Sequence, residues 1–156
     1  MTQLDVKCQG SFEDRGKYQL IFDSTGNCEV FFRYQAHLIE VNKLQLAVTL
    51  GRTTKADAIE QIRKSVVACM RSGARLVLSC GKVAIDFPTN FDGGKDNLPI
   101  DTLFNFKEWR KEENYKKIVR AEEDHDLMDN RHAFYMNDKF SIVILQENEG
   151  DEETKN

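Results

Sequence analysis

The spacing of hydrophobic and polar residues changes along the chain, and the spacing in each stretch predicts a strand or a helix. Residues 18–23, YQLIFD, form the short apolar run typical of a buried strand. From Asn27 to Val41 apolar residues recur at intervals of three and four, which predicts a first helix. Its apolar positions are Val30, Phe31, Tyr34, Leu38 and Val41. Residues 43–50, KLQLAVTL, alternate and then become continuously apolar, which predicts a central strand.

The second predicted helix has signals at both of its ends. Thr54 can cap its first turn, and Asp57 completes a capping box. Gly73 stands at the position where helices commonly end. Its apolar stripe consists of Ile59, Ile62, Val66, Cys69 and Met70. Residues 74–80, ARLVLSC, then predict a third strand.

Alternating strands and helices with short connections are typical of a parallel sheet with right-handed crossovers. Beyond the third strand, DFPTNFDGGKDNLP predicts a loop, residues 101–123 a helix, and residues 140–146 a strong strand. We therefore expect an α/β, three-layer domain with a mainly parallel sheet and helices on both faces.

The expected domain boundaries follow from the same pattern. Residues 17–146 are predicted to form a single α/β domain, in which residues 92–130 insert a loop and an amphipathic helix. Residues 1–16 are interpreted as a polar lead-in. Residues 147–156, ENEGDEETKN, are interpreted as an acidic disordered tail.

Composition narrows the class of protein. The chain has 156 residues, of which 40% are hydrophobic and 31% charged, enough for one domain with a core. Its net charge of -4 gives no sign of a nucleic-acid-binding surface. No apolar run approaches the ~20 residues that cross a bilayer, and the N-terminus lacks the pattern of a secretory signal. We expect a cytoplasmic protein with neither nucleic-acid nor membrane partners.

The loop between the first strand and the first helix is where nucleotide-binding folds place their phosphate loop. Here it reads DSTGNCEVFF, with Gly26 as its one glycine and no lysine. Glu29 in the first helical turn would repel a polyphosphate. The third strand ends in Ser79 and Cys80, whereas a hydrolytic NTPase needs a carboxylate there to hold metal and position water.

These residues predict a degenerate nucleotide-site loop without catalytic residues. The loop consists of Ser24, Thr25, Gly26 and Asn27. Ser24, Thr25 or Asn27 is expected to cap the helix, and Gly26 to make the turn.

Three segments resemble the degenerate AAA modules of dynein heavy chains. They are QLIFDSTGN at residues 19–27, MRSGARLVLSCGKVAIDFPTNF at 70–91 and RHAFYMNDKFSIVIL at 131–145. The order and the approximate spacing of the segments agree with those modules. The resemblance implies a P-loop-NTPase-like fold with a degenerate nucleotide site. The chain is too short for a motor, which needs a ring of several modules, and related modules occur in other ciliary proteins.

The resulting interpretation is a non-catalytic structural or protein-interaction module without a cofactor. Its protein partners are expected in a cytoskeletal or axonemal assembly, so the expected location includes the cilium. The alternative is a nucleotide-binding regulatory domain that binds without efficient hydrolysis. In that case residues 24–27 and the start of the first helix would receive a phosphate.

Two further segments carry candidate sites. EEDHDLMDNRH, residues 122–132, invites a metal-binding interpretation, since Glu122, His125 and Asp129 would share one helix face. It lacks the spacing of an EF-hand and the order H-E-x-x-H, so we expect a solvated charged segment and no metal. The helix predicted at residues 101–123 interleaves aromatic and basic residues, which favours core packing but also allows docking. The expected docking residues are Phe106, Trp109, Arg110 and Tyr115.

Overall fold

The fold is an α/β arrangement around one all-parallel sheet. The structure, a computed structural model, describes residues 18–147. Its strands are β1 (Gln19–Asp23), β2 (His37–Glu40), β3 (Arg75–Ser79) and β4 (Ser141–Glu147). They pair in the order β1-β4-β3-β2. The predicted α/β class and parallel sheet are confirmed. The predicted lead-in, residues 1–16, lies outside the described residues, and so does the predicted tail, residues 147–156, except for Glu147, which ends β4.

Seven α-helices are described between the strands. They are α1 (Asn27–Gln35), α2 (Val41–Thr49), α3 (Lys55–Ser72), α4 (Phe87–Phe91), α5 (Ile100–Leu103), α6 (Phe106–Trp109) and α7 (Glu112–Tyr115). Short 3-10 turns follow at Lys116–Ile118 and Ala121–Glu123. Within residues 18–147, no helix combines the length and the apolar character needed to cross a membrane.

Helix α3 forms as its end signals predict. The Thr54 hydroxyl oxygen accepts a hydrogen bond from the N–H of Asp57 at 3.1 Å. Gly73 ends the helix with φ of 76°, a left-handed conformation that glycine adopts without a steric penalty. The five predicted stripe residues are all buried.

The stretch from Asn27 to Thr49 differs from its prediction. Helix α1 stops at Gln35 because Ala36 is extended, with φ of -150° and ψ of 173°. Strand β2 follows, and the predicted strand at residues 43–50 is instead helix α2. The predicted stripe of α1 is also wrong, because Val30 and Tyr34 are 58% and 81% exposed while Phe32 is fully buried.

The prediction of one helix over residues 101–123 is wrong, because the helix is not continuous. The chain forms α5, α6, α7 and two 3-10 turns there. Extended residues interrupt it after α5, after α6 and after the first 3-10 turn, whereas α7 runs directly into that turn. Asn105 caps α6 by accepting a hydrogen bond from the N–H of Glu108 at 3.3 Å. A side chain that bonds local backbone N–H groups in this way competes with continued helix.

Helices lie on both faces of the sheet, so the architecture is compatible with a three-layer fold. On one face, Phe32 of α1 packs into a small core with strand residues, namely Ile21, Val77, Val143 and Leu145. On the other face, α3 and the long connection from β3 to β4 build the larger core. That core includes Val66, Met70, Leu76, Leu78, Trp109 and Ile142.

Candidate functional site

The carboxyl ends of the four strands meet at one edge, where open α/β sheets bind their ligands. The last residues of β1 and β3 are Asp23 and Ser79. The last residues of β2 and β4 are Glu40 and Glu147. Helix α1 starts directly beyond β1, so its first turn stands at this same edge. This strand-end edge is the candidate functional site.

The Asp23 carboxylate closes the loop that leads into α1. Its Oδ1 accepts hydrogen bonds from the N–H of Thr25 at 3.0 Å and from the Thr25 hydroxyl at 2.8 Å. Its Oδ2 accepts one from the N–H of Cys28 at 2.9 Å. The N–H of Cys28 in the first turn of α1, which would face a phosphate in a working nucleotide site, therefore binds a carboxylate of the same chain.

Asp23 remains ionised although it is buried. Burial alone raises the pKa of its carboxyl group. The hydrogen bonds from Thr25 and Cys28 together outweigh burial, so the pKa lies below its ordinary value. A negative charge is thus held at the positive end of the α1 dipole at neutral pH.

A chain of polar contacts covers the rest of the strand-end edge. The Ser79 hydroxyl donates to Glu29 Oε2 at 3.4 Å, and Arg33 donates to Glu29 Oε1 at 2.6 Å. Arg33 also reaches Glu40 at 3.5 Å, and the Lys43 ammonium contacts Glu40 at 2.8 Å. The hydrogen bond that Glu40 accepts from Lys43 is the main reason why the pKa of Glu40 is lowered. Lys43 is therefore paired with Glu40 at the end of β2.

Among the four predicted loop residues, Gly26 and Thr25 have identifiable parts at the entry to α1. Gly26 is the N-cap of α1 with φ of 75°, so it makes the turn as predicted. Thr25 Oγ1 accepts a hydrogen bond from the N–H of Asn27 at 3.2 Å. The described contacts show no side-chain cap from the N-cap residue itself. The loop's central acceptor is Asp23, which the prediction omitted.

A local sequence signal for Asp23 was present. An Asp followed by Ser-Thr-Gly is typical of an Asx-turn, in which the carboxylate accepts the N–H two residues ahead. The hydrogen bond from the N–H of Thr25 to Asp23 has this spacing. The additional bond from Cys28 depends on the direction of α1, and the sequence alone does not give that direction.

The predicted docking residues divide between core and surface. Trp109 is fully buried and Tyr115 is buried, so their rings lie in the core. Phe106 and Arg110 are partly exposed, and the Arg110 guanidinium stacks 4.1 Å from the centre of the Phe106 ring. The structure does not bring the four residues together as one exposed aromatic surface.

The acidic segment at residues 122–132 is not a helix, so Glu122, His125 and Asp129 do not share a helix face. The Asp126 carboxylate accepts hydrogen bonds from the N–H groups of Met128 and Asn130, both at 2.9 Å. It thereby closes a local turn. Across residues 18–147, no group of three or more His, Cys, Asp or Glu side chains is arranged to hold a metal ion.

His37 and Ser65 form a second polar pair away from the strand-end edge. The ring Nε2 of His37 lies 3.2 Å from Ser65 Oγ. The Ser65 hydroxyl donates to the carbonyl of Gln61 at 3.0 Å, as serines inside helices often do. With its proton directed to the backbone, Ser65 is not arranged as a nucleophile activated by His37.

The strand-end edge therefore lies where open α/β sheets bind ligands, but the protein's own charged side chains occupy it. An anion that approached this edge would be repelled by the carboxylates of Asp23 and Glu29. Both carboxylates already accept hydrogen bonds from other groups of the chain. Comparisons of the chain with protein-family models, with curated proteins and with solved structures each found no match.

Proposed function

We propose that this chain is a non-catalytic structural and protein-interaction module with a degenerate nucleotide site. The observation that carries the proposal is the Asp23 carboxylate bound to the N–H groups of Thr25 and Cys28. The setting, a cytoskeletal or axonemal assembly, comes from the resemblance to degenerate AAA modules and stands as part of the proposal.

Nucleotide phosphates would compete with Asp23 for the same N–H groups. To bind there, a phosphate must displace a carboxylate that already makes three hydrogen bonds. It would also approach Glu29 in the first turn of α1, and like charges repel. Both effects act against the binding of ATP or GTP, which supports a structural role over the nucleotide-binding alternative.

Hydrolysis would further need a metal and an oriented water at the ends of the strands. At the end of β3 the chain has Ser79, whose hydroxyl donates to Glu29. Glu29 in turn accepts a hydrogen bond from Arg33, and Arg33 also reaches Glu40. These contacts tie α1 to β2 and β3, which is a stabilising role for residues placed where a catalytic site would be.

Calorimetric titration with ATP and Mg²⁺ tests the proposal. We expect no binding heat at micromolar protein and no phosphate release from ATP. The Asp23→Asn variant, which removes the competing charge, is expected to gain at most weak binding. Asp96→Asn, a change at an exposed carboxylate outside the loop, serves as the matched control. Sub-micromolar binding by the wild type, or hydrolysis that a loop substitution abolishes, would overturn the proposal.

The nucleotide-binding alternative makes the opposite prediction in a thermal-shift assay. If it holds, ATP raises the Tm of the wild type, and Gly26→Val abolishes that rise. An added Cβ at Gly26 has no atom within 4 Å, so the effect of the substitution comes from the backbone, whose φ is 75°. A Tm unchanged by ATP in the wild type favours the structural module.

The assembly part of the proposal is tested separately in ciliated cells. A tagged chain is expected to stay with the axonemes after detergent extraction. A tagged chain found only in the detergent-soluble fraction would contradict an axonemal role, even if the calorimetry shows no nucleotide binding.

A further inference from the structure

Two neighbouring apolar side chains are exposed on the connection between β3 and β4. Leu127 and Met128 are 65% and 84% exposed. They follow Asp126, whose carboxylate accepts hydrogen bonds from the N–H groups of Met128 and Asn130. Asp129 has φ of 64°, a left-handed conformation that Asp adopts more readily than most residues. The chain therefore presents Leu127 and Met128, which we call the apolar tip, on a hydrogen-bonded turn.

The turn that carries the apolar tip is fixed to the rest of the domain. His125 and Arg131 form an antiparallel bridge at its base. The Arg71 guanidinium of α3 donates to the carbonyls of Glu123 and His125, at 2.6 Å and 3.0 Å. Because the turn is already ordered, covering the apolar tip costs little further conformational entropy. Exposed apolar side chains that stand together, instead of being scattered, are typical of a contact with another protein.

A groove with a mainly apolar lining lies beside β1, the strand at the end of the sheet opposite to β2. Its volume is about 700 Å³. The lining includes Leu20 of β1, Ile144 of β4 and the rings of Phe104 and Phe106. Leu20 is 55% exposed, so apolar surface faces solvent here as well. In volume and lining, the groove is in the range of the clefts that proteins use for binding.

The charges beside the groove are opposite to those beside the apolar tip. Lys107 and Asp101 line the groove, are exposed, and have no ion-pair partner within residues 18–147. Asp129 and Arg131 flank the tip and are exposed as well. Asp129 lies 3.7 Å from the His125 ring, a contact that leaves the Asp129 side chain 84% exposed. The anion and the cation beside the tip thus match the cation and the anion beside the groove.

We propose that the apolar tip of one copy of this chain binds in the groove of a second copy, with Asp129 of the first paired to Lys107 of the second. Leu127 and Met128 are too exposed to fill the groove of their own copy. The Met128 sulfur also suits the aromatic rings of the groove, since thioethers make favourable contacts with such rings. Each bound copy keeps a free groove or a free tip, so the copies join head to tail. This contact is independent of the proposed function, because neither surface includes the loop after β1.

Sedimentation velocity of the full chain measures the association. The average mass of the wild type is expected to rise between about 10 μM and about 1 mM protein, the range of weak interfaces. Met128→Lys places a charge on the apolar tip, and Leu20→Lys places one in the groove. Each is expected to weaken association about tenfold or more. Leu46→Lys, at a similarly exposed leucine of α2, is the matched control and is expected to leave association unchanged. An unchanged circular dichroism spectrum shows that each variant is folded.

A mixture of the two variants separates a head-to-tail contact from a symmetric one. Met128→Lys keeps its groove and Leu20→Lys keeps its tip, so an equimolar mixture is expected to form dimers and nothing larger. Exchange of the two charges gives a second test of the pairing. Lys107→Glu and Asp129→Lys are each expected to weaken association, and the chain that carries both changes is expected to regain it.

Other results overturn the proposal. A wild type that stays monomeric up to about 1 mM does not use the tip and the groove to bind itself. If Leu20→Lys abolishes association and Met128→Lys does not, the copies meet through β1 and not through the tip. If the mixture of the two variants stays monomeric, or if Leu46→Lys weakens association as much as Met128→Lys, the tip does not bind in the groove.

Discussion

The Arg63 guanidinium in α3 binds the Glu123 carboxylate through two parallel hydrogen bonds. They join Nη1 to Oε2 at 2.9 Å and Nη2 to Oε1 at 2.6 Å. Arg63 also donates to the carbonyl of Ile118 at 2.6 Å and to both carboxylate oxygens of Glu60. The side chain of Arg63 is 1% exposed and that of Glu123 17%. One buried cation therefore fastens the connection between β3 and β4 onto α3.

Arg63→Met is expected to lower the free energy of unfolding by about 3–5 kcal/mol, because it leaves the Glu123 carboxylate without its partner in a buried position. The measurement is urea denaturation at neutral pH. Lys64→Met, a change of an exposed cation at the next position, is the control and is expected to cost under about 0.5 kcal/mol. Equal losses in the two variants would show that the Arg63 contacts contribute nothing specific.

Asp23→Ala is expected to cost about 1–2 kcal/mol at pH 7, since it removes the acceptor for the first turn of α1. Because the folded pKa of Asp23 lies below its unfolded value, its contribution is complete above the unfolded pKa. It is lost as the pH falls through the folded pKa. Urea denaturation measures the free energy of unfolding of the wild type and of Asp23→Asn. The difference between the two should therefore be smaller at pH 2–3 than at pH 7. A difference independent of pH would contradict an ionised cap.

Trp109 is the chain's one tryptophan and reports directly on the core. Its fluorescence is expected to be blue-shifted, to resist quenching by iodide, and to shift to the red on unfolding. Trp109→Phe is expected to cost about 1.5 kcal/mol or less, since the lost indole N–H has no partner among the described groups. Trp109→Ala is expected to cost about 3–5 kcal/mol. If iodide quenches the fluorescence of the native protein readily, Trp109 is exposed and the prediction is wrong.

Gly73 and Gly26 form a matched pair for separating backbone strain from steric overlap. Both have positive φ, at 76° and 75°. A Cβ added at Gly73 would lie 2.6 Å from the Asn137 side chain, whereas one at Gly26 has open space. Gly26→Ala is expected to cost about 1–2 kcal/mol from backbone strain alone, and Gly73→Ala more. Thermal denaturation of both variants measures the difference, and equal losses would show that Asn137 moves aside freely.

The parts of the fold predicted from sequence are those with local signals. Helix α3 has Thr54 at its start and Gly73 at its end, and its period of three and four continues between them. Strands β3 and β4 are short continuous apolar runs, as strands buried on both faces require. Each of these elements could be located without knowledge of its neighbours.

The region between α1 and α3 could not be predicted in this way. In and directly after α2, Leu44, Leu46, Val48 and Leu50 imitate the alternation of a strand. Leu46 in the helix and Leu50 at its C-cap are exposed, so the apolar pattern did not indicate burial. Strand β2 has only four residues, and no Gly or Pro marks the break at Ala36. Its strand conformation depends on pairing with β3, which is a tertiary contact.

The sequence shows which residues the loop after β1 contains, but not the contacts that they make. The sequence shows that the loop after β1 has no lysine and that β3 does not end in a carboxylate. The position of Asp23 in the loop depends on the direction of α1, because this direction brings the N–H of Cys28 to the Asp23 carboxylate. The long-range pairing of Arg63 with Glu123, sixty residues apart, has no sequence signal either.

The sheet order has a consequence for how the protein is made. β4 lies between β1 and β3, yet it is the last of the described strands along the chain. While the chain is being translated, β1 has no partner among the described strands until β4, which ends at residue 147, has left the ribosome. Such delayed closure slows folding and leaves apolar strand residues open to chaperones in the meantime. A chain released before residue 141 would accordingly lack the strand that joins β1 to the rest of the sheet.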